Sequence, residues 1–193
     1  MSRGLKSVAI FAAFVAVFVL SRHSSSPPST TTTTATNVTT TSVMTTTSTL
    51  GTTCQGSDFT GVFNQGQGAA GTIMSSVTIT QKSGAACTID GWPLITLQDK
   101  SGAVLPSTST HGRPGLQFTD SRANLPPSAL AMSVGSTATF SFAYTDVQVG
   151  TTACVNAVTM SVQLQAGGSA ITVTPAYPLQ PCNNGELWIS PLY

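Results

Sequence analysis

One short stretch holds most of the side chains that could do chemistry. His111, Arg113, Asp120 and Arg122 put an imidazole, a carboxylate and two guanidinium groups into a segment otherwise built of Pro, Gly, Ser and Asn. Such a cluster could bind a polar ligand; the competing reading is that these are ordinary charges on a solvated loop. Nucleophilic catalysis needs a Ser or Cys beside a base that a third group orients. His111 is the one histidine after His23, and no Gly-x-Ser-x-Gly elbow accompanies it. Paired carboxylates for glycoside hydrolysis would have to come from Asp58, Asp90, Asp99, Asp120, Asp146 and Glu186. These are scattered, and several sit where turns are expected and Asp bonds its own backbone. No phosphate-binding or dinucleotide fingerprint occurs. Met74, Met132 and Met160 could suggest copper capture, but they stand singly on strand-like segments and read as core packing. No catalytic, metal or cofactor residue is assigned, and the chain is read as a non-enzyme. An envelope hydrolase resting on His111 is the alternative least favoured.

Cysteine is the other reactive type. Cys54, Cys87, Cys154 and Cys182 are even in number and widely spaced, with no C-x-x-C pair. That spacing argues against zinc and for disulfides in an oxidising compartment. Four cysteines allow three pairings. Cys54–Cys87 and Cys154–Cys182 are expected, because each joins neighbouring segments. Loops of that size give each bridge about 3.5–4 kcal/mol in the loop-entropy model.

The chain that must position these groups has 193 residues, seven of them Lys or Arg and six Asp or Glu, far below the charged quarter typical of globular proteins. From Cys54 onward four bases face six acids, a net of −2. No basic patch could neutralise several phosphates, so nucleic acid is not an expected partner.

Three regions follow. In residues 1–23, Val8 to Leu20 is an unbroken apolar run behind Arg3 and Lys6. It is shorter than the roughly 20 residues of a spanning helix and matches a secretory hydrophobic segment. Yet Ser21-Arg22-His23 offers no small-residue cleavage site. Both a retained signal anchor and a cleaved signal peptide stay open; either way the remainder is exported, with the basic end left inside. Residues 24–53 hold fifteen Thr and six Ser with no charge, a composition expected to be a disordered stalk. Asn37-Val38-Thr39 fits an N-glycosylation acceptor.

Residues 54–193 read as strands. Ile73, Ser75, Val77 and Ile79 alternate with Met74, Ser76, Thr78 and Thr80, a period of two. Leu94–Leu97 leads through Asp99-Lys100-Ser101-Gly102 to Ala103-Val104-Leu105, a hairpin signature. Ala138, Phe140, Phe142 and Tyr144 alternate likewise, as do Val158, Met160, Val162 and Leu164. Ile171–Val173 follows, and then Leu187 and Ile189 with Trp188 on the opposite face. Residues 106–128 are expected to be a long surface loop. Gly91 and Pro93 can turn the chain after Cys87, with Trp92 expected in the core or against a disulfide. About seven or more short strands imply an all-β, immunoglobulin-like antiparallel β-sandwich.

The stretch Thr80-Gln81-Lys82-Ser83-Gly84-Ala85-Ala86-Cys87-Thr88-Ile89-Asp90-Gly91-Trp92-Pro93 resembles the signature of an actinobacterial exported four-cysteine family known as domain of unknown function number 4232. The Asp99–Gly102 turn, Gly135 with Ala138, Cys154 and the ending Pro181-Cys182-Asn183-Asn184-Gly185-Glu186-Leu187-Trp188-Ile189-Ser190-Pro191-Leu192 agree with it. Val134-Gly135 stands where the resemblance leads one to expect Pro-Gly. The resemblance implies a secreted or membrane-attached sandwich with two disulfides, and no catalytic residues. The functional expectation is a non-catalytic binding or structural module at the cell envelope, attached to the membrane through its N-terminal segment. Its partner would be a cell-wall polymer or another exported protein. The alternative is an extracytoplasmic sensor or carrier for a small ligand or metal, with residues 106–128 as its mouth.

Overall fold

The computed structural model describes residues 52–193. The N-terminal segment 1–23 and all but the last two residues of the expected stalk lie outside the described residues. Eleven strands follow: β1 (Thr52–Thr53), β2 (Phe59–Ala69), β3 (Thr72–Gln81), β4 (Cys87–Ile89), β5 (Leu94–Gln98), β6 (Thr108–His111), β7 (Leu130–Met132), β8 (Thr137–Thr145), β9 (Thr159–Gln163), β10 (Ala170–Val173) and β11 (Glu186–Ile189). No described helix is long and apolar enough to cross a membrane. Thr52 and Thr53, expected at the end of the stalk, pair with Cys87 and Thr88 as β1.

Period-two patterning decides the architecture. A five-stranded sheet runs β2-β3-β8-β11-β6, and a three-stranded sheet runs β10-β9-β5. Val77 and Ile79 of β3, Phe140 and Phe142 of β8, and Leu187 and Ile189 of β11 share one buried cluster with Leu97, Met160, Val162, Ile171 and Val173 of the smaller sheet. Alternate residues of both sheets thus face a common core, a β-sandwich-like all-β fold. A third small sheet, β1-β4-β7, carries Cys87 and adds Ile89 and Met132 to the same buried cluster. Met132 and Met160 are buried in the core, as single strand methionines are expected to be.

Cys54 bonds Cys87, and Cys154 bonds Cys182. Gln81 is buried and donates to the carbonyls of Ser83 and Ala85 at 2.9 and 2.8 Å, which shapes the bend that delivers Cys87.

Three sequence expectations are corrected and a fourth holds in reduced form. The sheets are mixed, since β1 runs parallel to β4 and β6 parallel to β11. Neither pair is joined by a hairpin, so no short turn forces antiparallel order. Residues 106–128 are not all loop: Thr108–His111 forms edge strand β6, and Ser121–Asn124 makes one 3-10 turn. The expected return of Ala103–Leu105 along β5 is present in reduced form: Val104 bridges antiparallel to Gln98 and Leu105 N–H donates to Leu97 carbonyl at 2.9 Å, with Val104 67% exposed. Trp92 is half-buried outside the core and lies flat on His111, ring centroids 4.3 Å apart and planes within 6°. Gly91 does take positive φ, +82°, and its carbonyl accepts from Leu192 N–H at 3.0 Å.

Candidate functional site

The outer face of the five-stranded sheet is built from the residues that alternate with the core. Register pairs Met74 with Ala143, Ser76 with Ser141 and Thr78 with Thr139. Ser, Thr and Ala tolerate a half-exposed pleated face, and their hydroxyls bond one another across strands. Asn64 Nδ2 donates to Ser76 Oγ at 3.1 Å and to Thr78 Oγ1 at 2.9 Å. Thr78 and Thr139 hydroxyls are 3.1 Å apart, and Ser141 Oγ lies 2.9 Å from Tyr193 OH.

A strap formed by residues 112–128 crosses part of this face. Phe118 and Ala123 are buried against Ala143 and Trp188, with Met74, Leu116 and Tyr193 around them. One side chain sets the strap's shape: Asn124 Oδ1 accepts from Phe118 N–H at 2.8 Å, and its Nδ2 donates to Phe118 carbonyl at 2.9 Å. Asp120 caps the 3-10 turn by accepting from Arg122 N–H at 3.0 Å. It also takes two bonds from the Arg122 guanidinium, Nε to Oδ1 at 3.1 Å and Nη2 to Oδ2 at 2.7 Å. Those guanidinium bonds, followed by the backbone bond, hold the Asp120 carboxyl below the ordinary Asp range and push Arg122 up. Arg122 also covers the Tyr193 ring at 4.9 Å, and Arg113 covers Trp188 at 4.3 Å.

The four polar residues singled out in the sequence are therefore not one cluster. Asp120 and Arg122 line a hollow of about 410 Å³ together with Gln65, Gln67, Ser76, Ser141 and Tyr193. Arg113 lines a second, of about 490 Å³, with Thr110, Glu186 and Trp188. His111 stacks on Trp92 and lines neither. A third hollow, of about 320 Å³, has Tyr144, Asp146, Tyr177 and Gln180 in its wall. Burial, ahead of the neighbouring Tyr177 and Asp146, pushes the Tyr144 phenol up to about 12. Among the described residues no group of three or more His, Cys, Asp or Glu gathers where a metal could be held.

Sequence reasoning missed the Gln65–Gln67 stretch altogether. Gly, Asn and Gln depress strand propensity across β2, although Phe59, Gly61 and Phe63 already share one face, opposite Gln81, Ile79 and Val77. Their alternation was the available signal.

A family model described as "Domain of unknown function (DUF4232)" matches residues 54–192. No curated protein and no solved structure matches the chain.

Proposed function

The chain belongs to the DUF4232 family, and on that premise we propose that it is a non-catalytic binding or structural module displayed outside the cytoplasm at the cell envelope. The observation that carries this reading is the use made of the polar side chains. Asp120 is tied to Arg122 and Arg113 to the Trp188 face, which holds the strap in place, while His111 is spent on stacking against Trp92. What they frame is a hydroxyl- and amide-lined hollow, suited to holding a ligand without transforming it. Two disulfides favour an oxidising compartment. The apolar run Val8–Leu20 and the Thr/Ser-rich 24–53 segment support export and attachment to the membrane. The same reading takes the facing sheets as an immunoglobulin-like sandwich.

Co-sedimentation of the full chain with purified cell-wall polymer, and with immobilised exported proteins, tests the proposal. Retention on one of them under non-reducing conditions, weakened by reductant, is the expected outcome. Recovery from neither overturns it. A second reading, carriage of a small ligand, is favoured by the 410 Å³ volume of the hollow. Native mass spectrometry that finds a stoichiometric small molecule on the purified chain would move the conclusion there.

A further inference from the structure

The hollow beside the strap owes its two amides to a local fault in β2. Register runs regularly from Phe59↔Gln81 to Asn64↔Ser76, then resumes at Gln67↔Met74. Two residues, Gln65 and Gly66, therefore stand opposite Ser75 alone, the two-against-one count of a β-bulge. Without the extra residue, Gln67 would share the face of Phe59, Gly61 and Phe63 and point toward the core. The bulge turns it to the outer face beside Met74 and Ser76. Gly66 is required there, because a Cβ would run into the Met74 carbonyl and the Ser75 hydroxyl. Both Gln65 and Gln67 are exposed, line the hollow, and hydrogen-bond no described residue through their side chains.

We propose that this hollow binds an uncharged carbohydrate, with Gln65, Gln67, Ser76 and Ser141 meeting its hydroxyls and Met74 with Phe118 meeting its C–H face. The inference rests on the reading of the domain as a binding module and names its ligand class. Charge selects the class first. The lining residues carry one acid and one base, Asp120 and Arg122, paired with each other through two contacts, so the lining has no net charge to favour an anion or a cation. Hydrogen-bond capacity selects it second. Amides and hydroxyls both donate and accept, as every sugar hydroxyl does. The volume of about 410 Å³ falls in the range of small-molecule sites.

The test uses the full chain in detergent with neutral oligomers of glucose, mannose, galactose and N-acetylglucosamine as probes. Polygalacturonate and an uncharged Ser/Gln peptide serve as comparisons. Saturation transfer from protein to sugar protons is expected for at least one neutral oligomer and for neither comparison. The double variant Gln65→Leu/Gln67→Leu is expected to weaken that binding about ten-fold or more, while Lys100→Ala, on the exposed turn after β5 and outside the lining of the hollow, leaves it unchanged. Gln67→Asn shortens one amide on an exposed site and is expected to weaken binding several-fold even if the double variant proves unstable. No transfer to any neutral sugar, tighter binding of polygalacturonate or peptide, or unchanged affinity in Gln67→Asn each overturns the proposal. Sugars that fail while the chain still sediments with wall polymer or an exported protein defeat this inference alone. Failure of both defeats the binding-module reading as well.

Discussion

Gly91 and Gly185 adopt nearly the same backbone conformation, φ +82° and +73°, yet substitution should separate them. A Cβ on Gly91 meets nothing, so Gly91→Ala should cost only the left-handed backbone term, about 1–2 kcal/mol. On Gly185 the same atom would run into the Pro106 carbonyl, and overpacking adds to the strain. Gly185→Ala should lose about 2–5 kcal/mol, read as the difference in urea denaturation free energies. Asn183 and Asn184 precede it at φ +54° and +61°, the residue type that best tolerates that region after glycine. Tyr144 gives a pH prediction at the same scale. Its phenol is raised from 10.0 to about 12 mainly by burial. Folding therefore favours the protonated form, and that stabilisation is present in full below pH 10. It should be lost as pH rises from 10 toward 12, because the unfolded chain ionises first. Melting temperatures across that window should fall in the native chain and fall less in Tyr144→Phe.

Two turns carry predictions for the elements they join. β2 and β3 meet through Ala70-Gly71, both at positive φ, +51° and +78°, the type I′ geometry that matches strand twist and prefers Asn-Gly. Ala at the first position is strained, and Ala70→Asn should stabilise the hairpin by about 0.5–1 kcal/mol. The turn before β8 has Gly135 at φ +90°, and Ser136 N–H donates to Ser133 carbonyl at 2.8 Å. Val134 occupies the position where a type II turn favours Pro, is 62% exposed, and its N–H donates to no described residue. Val134→Pro should add about 0.4–1 kcal/mol by restricting the unfolded chain. A lower denaturation midpoint in either variant would count against the turn assignment. Legibility at this scale followed side-chain type. β3, β8, β9 and β11 were readable because Val, Ile, Phe and Met alternate there. β2 was not, because Gly and Gln fill its second half and its bulge breaks the period that would betray it. β6 was hidden for a related reason: Thr108-Ser109-Thr110-His111 has no apolar face and becomes a strand only by lying against β11.

For the whole molecule, the two bridges differ in access. Cys54, Cys87 and Cys182 are buried, whereas Cys154 is exposed. Thiol–disulfide exchange requires the attacking thiolate to reach a sulfur, so graded reduction should open Cys154–Cys182 before Cys54–Cys87, as alkylation and peptide mapping would reveal. Their sequence separations of 28 and 33 residues make each worth about 3.5–4 kcal/mol in the loop-entropy model. Total stabilities of domains run about 5–15 kcal/mol. Full reduction should therefore bring a large drop in melting temperature or outright unfolding, with single reduction intermediate. Equal reactivity of the two bridges, or a melt indifferent to reductant, would refute this.

The sequence by itself determined the β class and the core faces of the main strands, because period-two alternation is a local property; chain proximity favoured one of three cysteine pairings, and the structure decided for it. It also located Gly91 as a turn residue, since positive φ is a demand glycine meets without help. Only the tertiary structure decided where the polar residues went. His111 and Trp92 are remote in sequence and meet because β6 docks beside β11. Asp120 and Arg122 found each other locally, but the sheet surface beneath them set what they frame. The amides opposite them come from a bulge in a strand that residue types had concealed. Side-chain direction in a strand reverses with a single inserted residue, so which face a polar group serves is fixed by register, and register is settled between strands.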